Sequence, residues 1–491
     1  CASTTVSLAR VAAKALVWTS LESFALSGLS LISLVVFARF LSAEEFGVAA
    51  VALAIVQGLT VPVELLFRDA LIQRAALRDI DVNSAFTVSV VLGVSLCGGC
   101  WLFADLLERA FGEPHLGHVL KWMSLSLIGM GFGSVVVAMQ RRKLEFRALA
   151  LRSLLGRAGS AVVAVSMAFL GAGVWSLVVQ QVLLVCLGTL TLWVLTAERP
   201  RFQLSWSAAR ELMAFGWSST LYNGLFMAVP RVFMVMLGGY LGSASVGMLS
   251  LAFRGLDMLR DLLANALSQI AMPLFARIRE DRETLVDAYH RSVQLTSLVA
   301  YPIFVGLAVC SDQVVSIVFG KQWQAATPYF ASVALLTLPF FLRLYSPSLL
   351  TAIGKPSATV WQSATELAYV TIGMLLIGRG SLPIAVTVWA TRLLFSVPVD
   401  IWMVKRWLGM DWNQQLRGAY VPALAAAAMG GAAFLVKTSL PRSLSPQLQI
   451  VPIALVGMAS YVSILLLLDR ELVKQFLGFV RQSIRARGSR G

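Results

Sequence analysis

Apolar residues in this chain come in long runs separated by short polar clusters. Runs near the ~20 residues that a helix needs to cross a bilayer recur from one end to the other. They predict fourteen spans, over 16–41, 48–67, 85–107, 120–140, 154–170, 174–196, 212–240, 246–270, 293–310, 329–350, 359–377, 383–404, 420–436 and 450–468. The first run follows Arg10 and Lys14 and is too long for the apolar part of a signal peptide, so it is read as a span. The fold class is therefore an all-α polytopic membrane protein of about 14 transmembrane helices.

Composition agrees. Of 491 residues, 58% are hydrophobic and 13% charged, against about 25% charged in soluble domains. Mean hydropathy is +0.78. The net charge of +15 would raise the question of nucleic acid in a soluble protein. Here it fits loops beside anionic headgroups. With the N-terminus in the cytoplasm and sides alternating, 28 Lys and Arg fall on the cytoplasmic side and seven opposite, with five inside spans. The cytoplasmic set includes Arg68, Arg74 and Arg78 and the cluster Arg141, Arg142, Lys143, Arg147, Arg152 and Arg157. This bias puts both termini in the cytoplasm. The last residues carry Leu472, Phe476, Phe479, Val480 and Ile484 at helical spacing, which predicts an amphipathic helix on the inner leaflet.

The chain also repeats itself. Phe40-Leu-Ser-Ala-Glu-Glu-Phe-Gly47 is echoed 200 positions on by Tyr240-Leu-Gly-Ser-Ala-Ser-Val-Gly247, with aromatic, Leu and Gly in register, and Ala52 matches Ala252 just beyond. Ala70-Leu-Ile-Gln73 is echoed by Ala266-Leu-Ser-Gln269. Both turns fall on the outer side, so the two six-span units form a parallel repeat about an axis normal to the membrane. The expected organisation is an N-terminal lobe at 1–200 and a C-terminal lobe at 201–410. An extra helix pair follows at 411–470 and a basic tail at 471–491.

Four stretches resemble the polysaccharide-flippase branch of the multidrug/oligosaccharidyl-lipid/polysaccharide exporter superfamily. They are Leu41-Ser-Ala-Glu-Glu-Phe-Gly47; Ala70-Leu-Ile-Gln-Arg74; Arg141-Arg-Lys-Leu-Glu-Phe-Arg147 followed by Gly171-Ala-Gly-Val-Trp-Ser-Leu177; and Pro273-Leu-Phe-Ala-Arg277 with Asp281, Leu285 and Tyr289. The resemblance implies a two-lobed alternating-access transporter in a bacterial inner membrane. Its cargo would be an undecaprenyl-pyrophosphate-linked oligosaccharide destined for exopolysaccharide, capsule or O-antigen. It also implies membrane lipids as partners, and a polysaccharide polymerase and chain-length or export machinery as candidates. A cation-coupled multidrug exporter and a peptidoglycan lipid-precursor flippase share the plan.

Ionisable groups inside spans are costly and mark pathways by default. Arg254, Asp257 and Asp261 follow i, i+3, i+7 spacing on one helix face, with Arg260 beside them. Guanidinium groups suit phosphate, so Arg231, Arg254, Arg260, Arg343 and Arg392 are the candidate cavity cations, with Asp257 and Asp261 as their acidic neighbours. The competing reading pairs these charges internally, only to hold helices together. Glu22, Glu64 and Glu366 stand in apolar helices and are candidates for ion coupling, with proton or sodium both open.

No cofactor, metal or nucleotide motif appears, and nothing suggests nucleic acid or an enzyme. His115 and His118 share one outer turn, and the loops are too short to hold a catalytic domain. Cys97-Gly-Gly-Cys100 lies within a span and reads as small buried residues rather than a redox pair. Gly129-Met-Gly-Phe-Gly133 and Gly238-Gly-Tyr-Leu-Gly242 predict close helix packing or bending. Trp101, Trp122 and Trp175 predict interfacial anchors.

Overall fold

A computed structural model describes residue 26 and residues 28–472, apart from 269–274, 276–277, 279–280, 356 and 442. The predicted amphipathic tail lies largely outside the described residues. Within them the regular structure is helical. The helices are α1 (Gly28–Phe40), α2 (Ala43–Leu65), α3 (Arg68–Gln73), α4 (Asp79–Phe111), α5 (Leu116–Arg142), α6 (Phe146–Phe169), α7 (Trp175–Leu195) and α8 (Trp206–Ser268). After these come α9 (Arg282–Val309), α10 (Thr327–Leu336), α11 (Leu338–Arg343), α12 (Ser346–Ala352), α13 (Ser357–Leu376), α14 (Leu382–Leu408), α15 (Trp412–Ser439) and α16 (Pro446–Leu468).

Among the described residues, eleven helical stretches are long and apolar enough to cross a membrane. The 63 residues of α8 would measure about 95 Å at 1.5 Å per residue, three times a bilayer core of about 30 Å. The helix breaks at Gly242, whose φ of 78° lies in the left-handed region that a side chain disfavours. Its two parts are the predicted seventh and eighth spans. The predicted tenth span is three short helices, α10, α11 and α12, each with a proline in its first turn: Pro328, Pro339 and Pro347. Proline fits there because the first N–H groups of a helix have no partner within it. With the short α1 and with α13 included, each predicted span has a helical counterpart.

The described chain forms two compact units. One runs up to Met258 and includes Ser363–Val388; the other holds Leu259–Gln362 and the residues from Trp389 onward. In the first, α4 packs on α5, α5 on α7 and α2, and α6 on α7. The α4–α5 crossing is a backbone contact. A Cβ at Gly93 would fall 2.5 Å from the Leu127 carbonyl oxygen, and one at Gly131 would fall 2.8 Å from that of Ser89. Lipid is as apolar as these side chains, so such close packing, rather than exclusion of water, holds the helices together. Cys97 and Cys100 are both buried free thiols, and Cys97 Sγ lies 3.4 Å from Ser124 Oγ. Trp101 and Trp122 are half exposed, and Trp101 Nε1 donates to the Lys121 carbonyl at 3.0 Å.

The stretches that carried the family resemblance turn out to be joints. Arg142 donates to the carbonyl oxygens of Leu71 (2.9 Å), Ile72 (3.1 Å), Arg74 (2.6 Å) and Ala75 (3.0 Å). It thereby satisfies the orphan carbonyls where α3 ends, with a charge of the sign the helix dipole favours. Gly173, with φ of 53°, leaves room for the Glu45 carboxylate, which a Cβ there would approach to 2.2 Å. Glu45 is meanwhile held in a capping box with Ser42 at the start of α2.

In the second unit α9 packs on α15, and α15 on α16. Asp281 caps α9, accepting from the hydroxyl and the amide of Thr284, which holds its carboxyl below the ordinary value. One and two turns on, Leu285 and Tyr289 are buried, and the Tyr289 ring faces Phe275 at 6.5 Å.

Candidate functional site

The predicted cavity arginines fall in both units, and the structure holds each of them differently. In the first unit, Arg231 lies in the 206–241 part of α8 and donates to the carbonyl of Met227, one turn back, at 2.6 Å. Arg254 lies in the 243–268 part. Its guanidinium carbon sits 4.9 Å from the centroid of the Phe46 ring, which is fully buried at the start of α2. Among the described residues no carboxylate forms an ion pair with Arg254. A cation on a ring face is stabilised by the quadrupole, but its charge is not cancelled. Asp257 follows one turn later and is half-buried.

In the second unit, Arg260 stacks on Phe340 at 4.9 Å and also bonds its neighbour Asp261 at 2.8 Å, with the Asp261 side chain largely exposed. Arg343 is bound far more tightly. Its Nε lies 2.8 Å from Asp400 Oδ2 and its Nη1 donates to Ser396 Oγ at 2.8 Å. The Arg343 and Asp400 side chains are 14% and 2% exposed, so this is a buried, compensated pair. A cavity of about 10 Å³ beside it, lined by Tyr289, Ser346 and Gln415 among others, has room for about one water. Arg392 lies 3.7 Å over Trp389, one turn earlier on α14.

The five arginines thus have different partners: a backbone carbonyl for Arg231, an aromatic face for Arg254, Arg260 and Arg392, and a buried carboxylate for Arg343. Of the acidic candidates, Glu22 lies outside the described residues. Glu64 is half-buried in the last turn of α2, and Glu366 is buried in α13.

Two features escaped the sequence reading. Arg157, assigned above to the cytoplasmic cluster, is the twelfth residue of α6, about 16 Å along the helix, and donates to Ser30 Oγ of α1 at 2.6 Å. Its place inside the apolar run of 154–170 was the available signal. The second unit also holds a cavity of about 820 Å³ lined by residues such as Val305, Leu335, Ala426, Gly430 and Phe434, with Lys437 among its few polar residues. Its size is within the range of about 300–1,000 Å³ typical of small-molecule sites, and its lining suits hydrocarbon.

Residues 36–328 match the family described as polysaccharide biosynthesis protein. Along 94% of its own length and 94% of the relative's, the chain is 27% identical to the succinoglycan biosynthesis transport protein ExoT of Rhizobium meliloti. It is 20% identical to the lipopolysaccharide biosynthesis protein WzxC of Escherichia coli, over 82% of this chain and 83% of that one. Among solved structures it resembles the lipid II flippase MurJ in an inward closed conformation, with a TM-score of 0.75 at 14% identity, over 93% of this chain and all of that one. It also resembles an inward-facing multidrug resistance MATE family transporter of the MOP superfamily, with a TM-score of 0.62 at 14% identity, over 79% and 98% of the two chains. These two likenesses establish a shared polytopic fold, and the family match, which spans more than half the sequence, establishes that the chain belongs to the polysaccharide biosynthesis protein family.

Proposed function

We propose that this protein is a flippase. It moves polyprenyl-pyrophosphate-linked oligosaccharide repeat units across a bacterial inner membrane by alternating access, between lobes at 1–200 and 201–410. The observation that carries the reading is Arg254, a guanidinium within a membrane span that rests on an aromatic face instead of a carboxylate. A charge held this way remains available to an anionic headgroup and can donate two parallel hydrogen bonds to a phosphate. Arg231, Arg260 and Arg392 are further candidate contacts along the path. Arg343 is the weakest, because Asp400 already takes its charge. The 820 Å³ apolar cavity supports a lipid cargo. Glu22, Glu64 and Glu366 remain the candidates for coupling to a proton or sodium gradient. The protein works as a transporter rather than an enzyme, with both termini in the cytoplasm, and a polymerase and export machinery take the cargo onward.

The test is to delete the gene in its host and measure surface polysaccharide together with the polyprenyl-linked sugar pool of the membrane. Loss of polymer with single repeat units trapped on the inner leaflet is the expected result. Intact polymer with new sensitivity to cationic drugs would overturn it in favour of a drug exporter.

A further inference from the structure

The two copies of the repeated turn start their helices differently. In the first, Ser42 and Glu45 cap α2 by themselves: Glu45 N donates to Ser42 Oγ at 3.2 Å, and Ser42 N donates to Glu45 Oε2 at 2.9 Å. In the second, Gly242 stands where Ser42 does and brings no side chain. Ser245 stands where Glu45 does, and its hydroxyl is spent on the Leu241 carbonyl at 2.9 Å. The new helix at 243 has no local cap. Its cap comes from Glu113, 130 residues earlier, whose Oε1 accepts from Ser243 N.

Glu113 is built for this reach. Gly112, in the left-handed conformation, ends α4, and Glu113 N returns to the Glu108 carbonyl at 3.3 Å, the closure of a Schellman motif. The same turn lays the Phe111 ring against Gly238 and Gly239. Beside it the two repeat copies cross in mutual contact. A Cβ at Gly47 would fall 1.8 Å from the Ser243 carbonyl oxygen, and a Cβ at Gly247 would fall 1.8 Å from that of Ala43. The contacts 47 to 243 and 247 to 43 exchange under the 200-residue repeat, as they would about a local twofold axis.

We propose that Glu113 is the latch of the gate at this end, which the charge bias assigns to the outside: a positioning residue for transport, with no contact to cargo. The proposal rests on the flippase reading, in which the two repeat copies must part at this end once per cycle. The Gly47–Gly247 crossing lets them meet backbone to backbone. Glu113 holds them there by capping a helix that cannot cap itself. When the end opens, Ser243 N loses its partner, so the strength of this one cap sets the balance between closed and open.

The experiment reads that balance without cargo. In full-length protein with the native cysteines replaced, a cysteine is placed at Val246, which is fully buried beside the crossing. Its labelling by a membrane-impermeant maleimide is followed in right-side-out vesicles. Glu113→Ala is expected to raise the labelling rate about fivefold, the population shift that a typical lost helix cap gives. Glu113→Gln, which keeps an accepting oxygen, is expected to label at the parental rate. If Glu113→Ala does not accumulate, Glu113→Asp, one methylene short of Ser243, is read against Glu113→Gln in the same way. The latch is overturned if the shortened or truncated variant labels at the parental rate, or if the Gln variant labels as fast as Ala. Because the readout needs no sugar-lipid, failure here leaves the flippase test untouched, and failure of that test leaves the latch measurable.

Discussion

Arginine identity alone does not separate a binding group from a structural one; the partner does. Arg343 and Asp400 form a buried pair, so Arg343→Gln strands a carboxylate and should destabilise the fold by about 3–5 kcal/mol. Arg254 has an aromatic partner, so Arg254→Gln should leave thermal unfolding in detergent nearly unchanged while export falls steeply. If the melting temperatures of the two variants drop equally, this division of roles is wrong. Replacing Arg343 and Asp400 together with leucine should recover much of the stability that Arg343→Gln loses, because no buried charge is left alone. Arg142 offers a second contrast. It spans four carbonyls with a planar fork, which a lysine ammonium cannot copy. Arg142→Lys should cost about 2 kcal/mol, in the range for hydrogen bonds to a charged group, read as a lowered melting temperature. The sequence made the Arg260–Asp261 pair legible because the two are neighbours. It could not show Arg343 meeting Asp400, 57 positions away, nor Arg142 closing α3, since both depend on how separate helices pack.

At the scale of elements, hydropathy located the helices because a span must be apolar for its whole length. Residue identity located the repeated turn, because Gly47 and Gly247 occupy a contact that tolerates no side chain. What hydropathy could not locate were the helix ends. The three-part tenth span was foreshadowed only by prolines, and the borrowed cap at Ser243 only by the absence of Ser and Glu at 242 and 245. The reciprocity of the crossing gives a prediction that a one-sided contact would not. Gly47→Ala and Gly247→Ala each push a methyl into a carbonyl of the opposite copy, at the same 1.8 Å. Both should cut export to a similar degree at normal abundance, and both should raise the labelling of a cysteine placed at Val246 by the impermeant maleimide. If one is silent and the other severe, the two copies do not meet as equals.

For the whole molecule the governing quantity is the asymmetry of charge across the membrane. Leaving Arg157, the twelfth residue of α6, out of the larger set gives 27 Lys and Arg against seven, so the bias persists. Translocating the loops that carry the larger set would move many basic residues across the membrane, which is why short loops follow this rule. The orientation can therefore be tested at two exposed positions on opposite ends of α4, whose 33 residues are more than enough to span the core. A cysteine at Pro114 should react with impermeant maleimide in right-side-out vesicles, and one at Ala76 should react only after the membrane is permeabilised. The opposite pattern would place the Glu113 latch and the Gly47–Gly247 crossing on the cytoplasmic side. It would then be the cytoplasmic end that closes where those glycines meet. Arg254, two turns along the helix from Gly247, would face a cavity loaded from outside, the wrong direction for an exporter of sugar-lipid made in the cytoplasm. Orientation thus ties the residue that would receive the cargo to the gate that would release it.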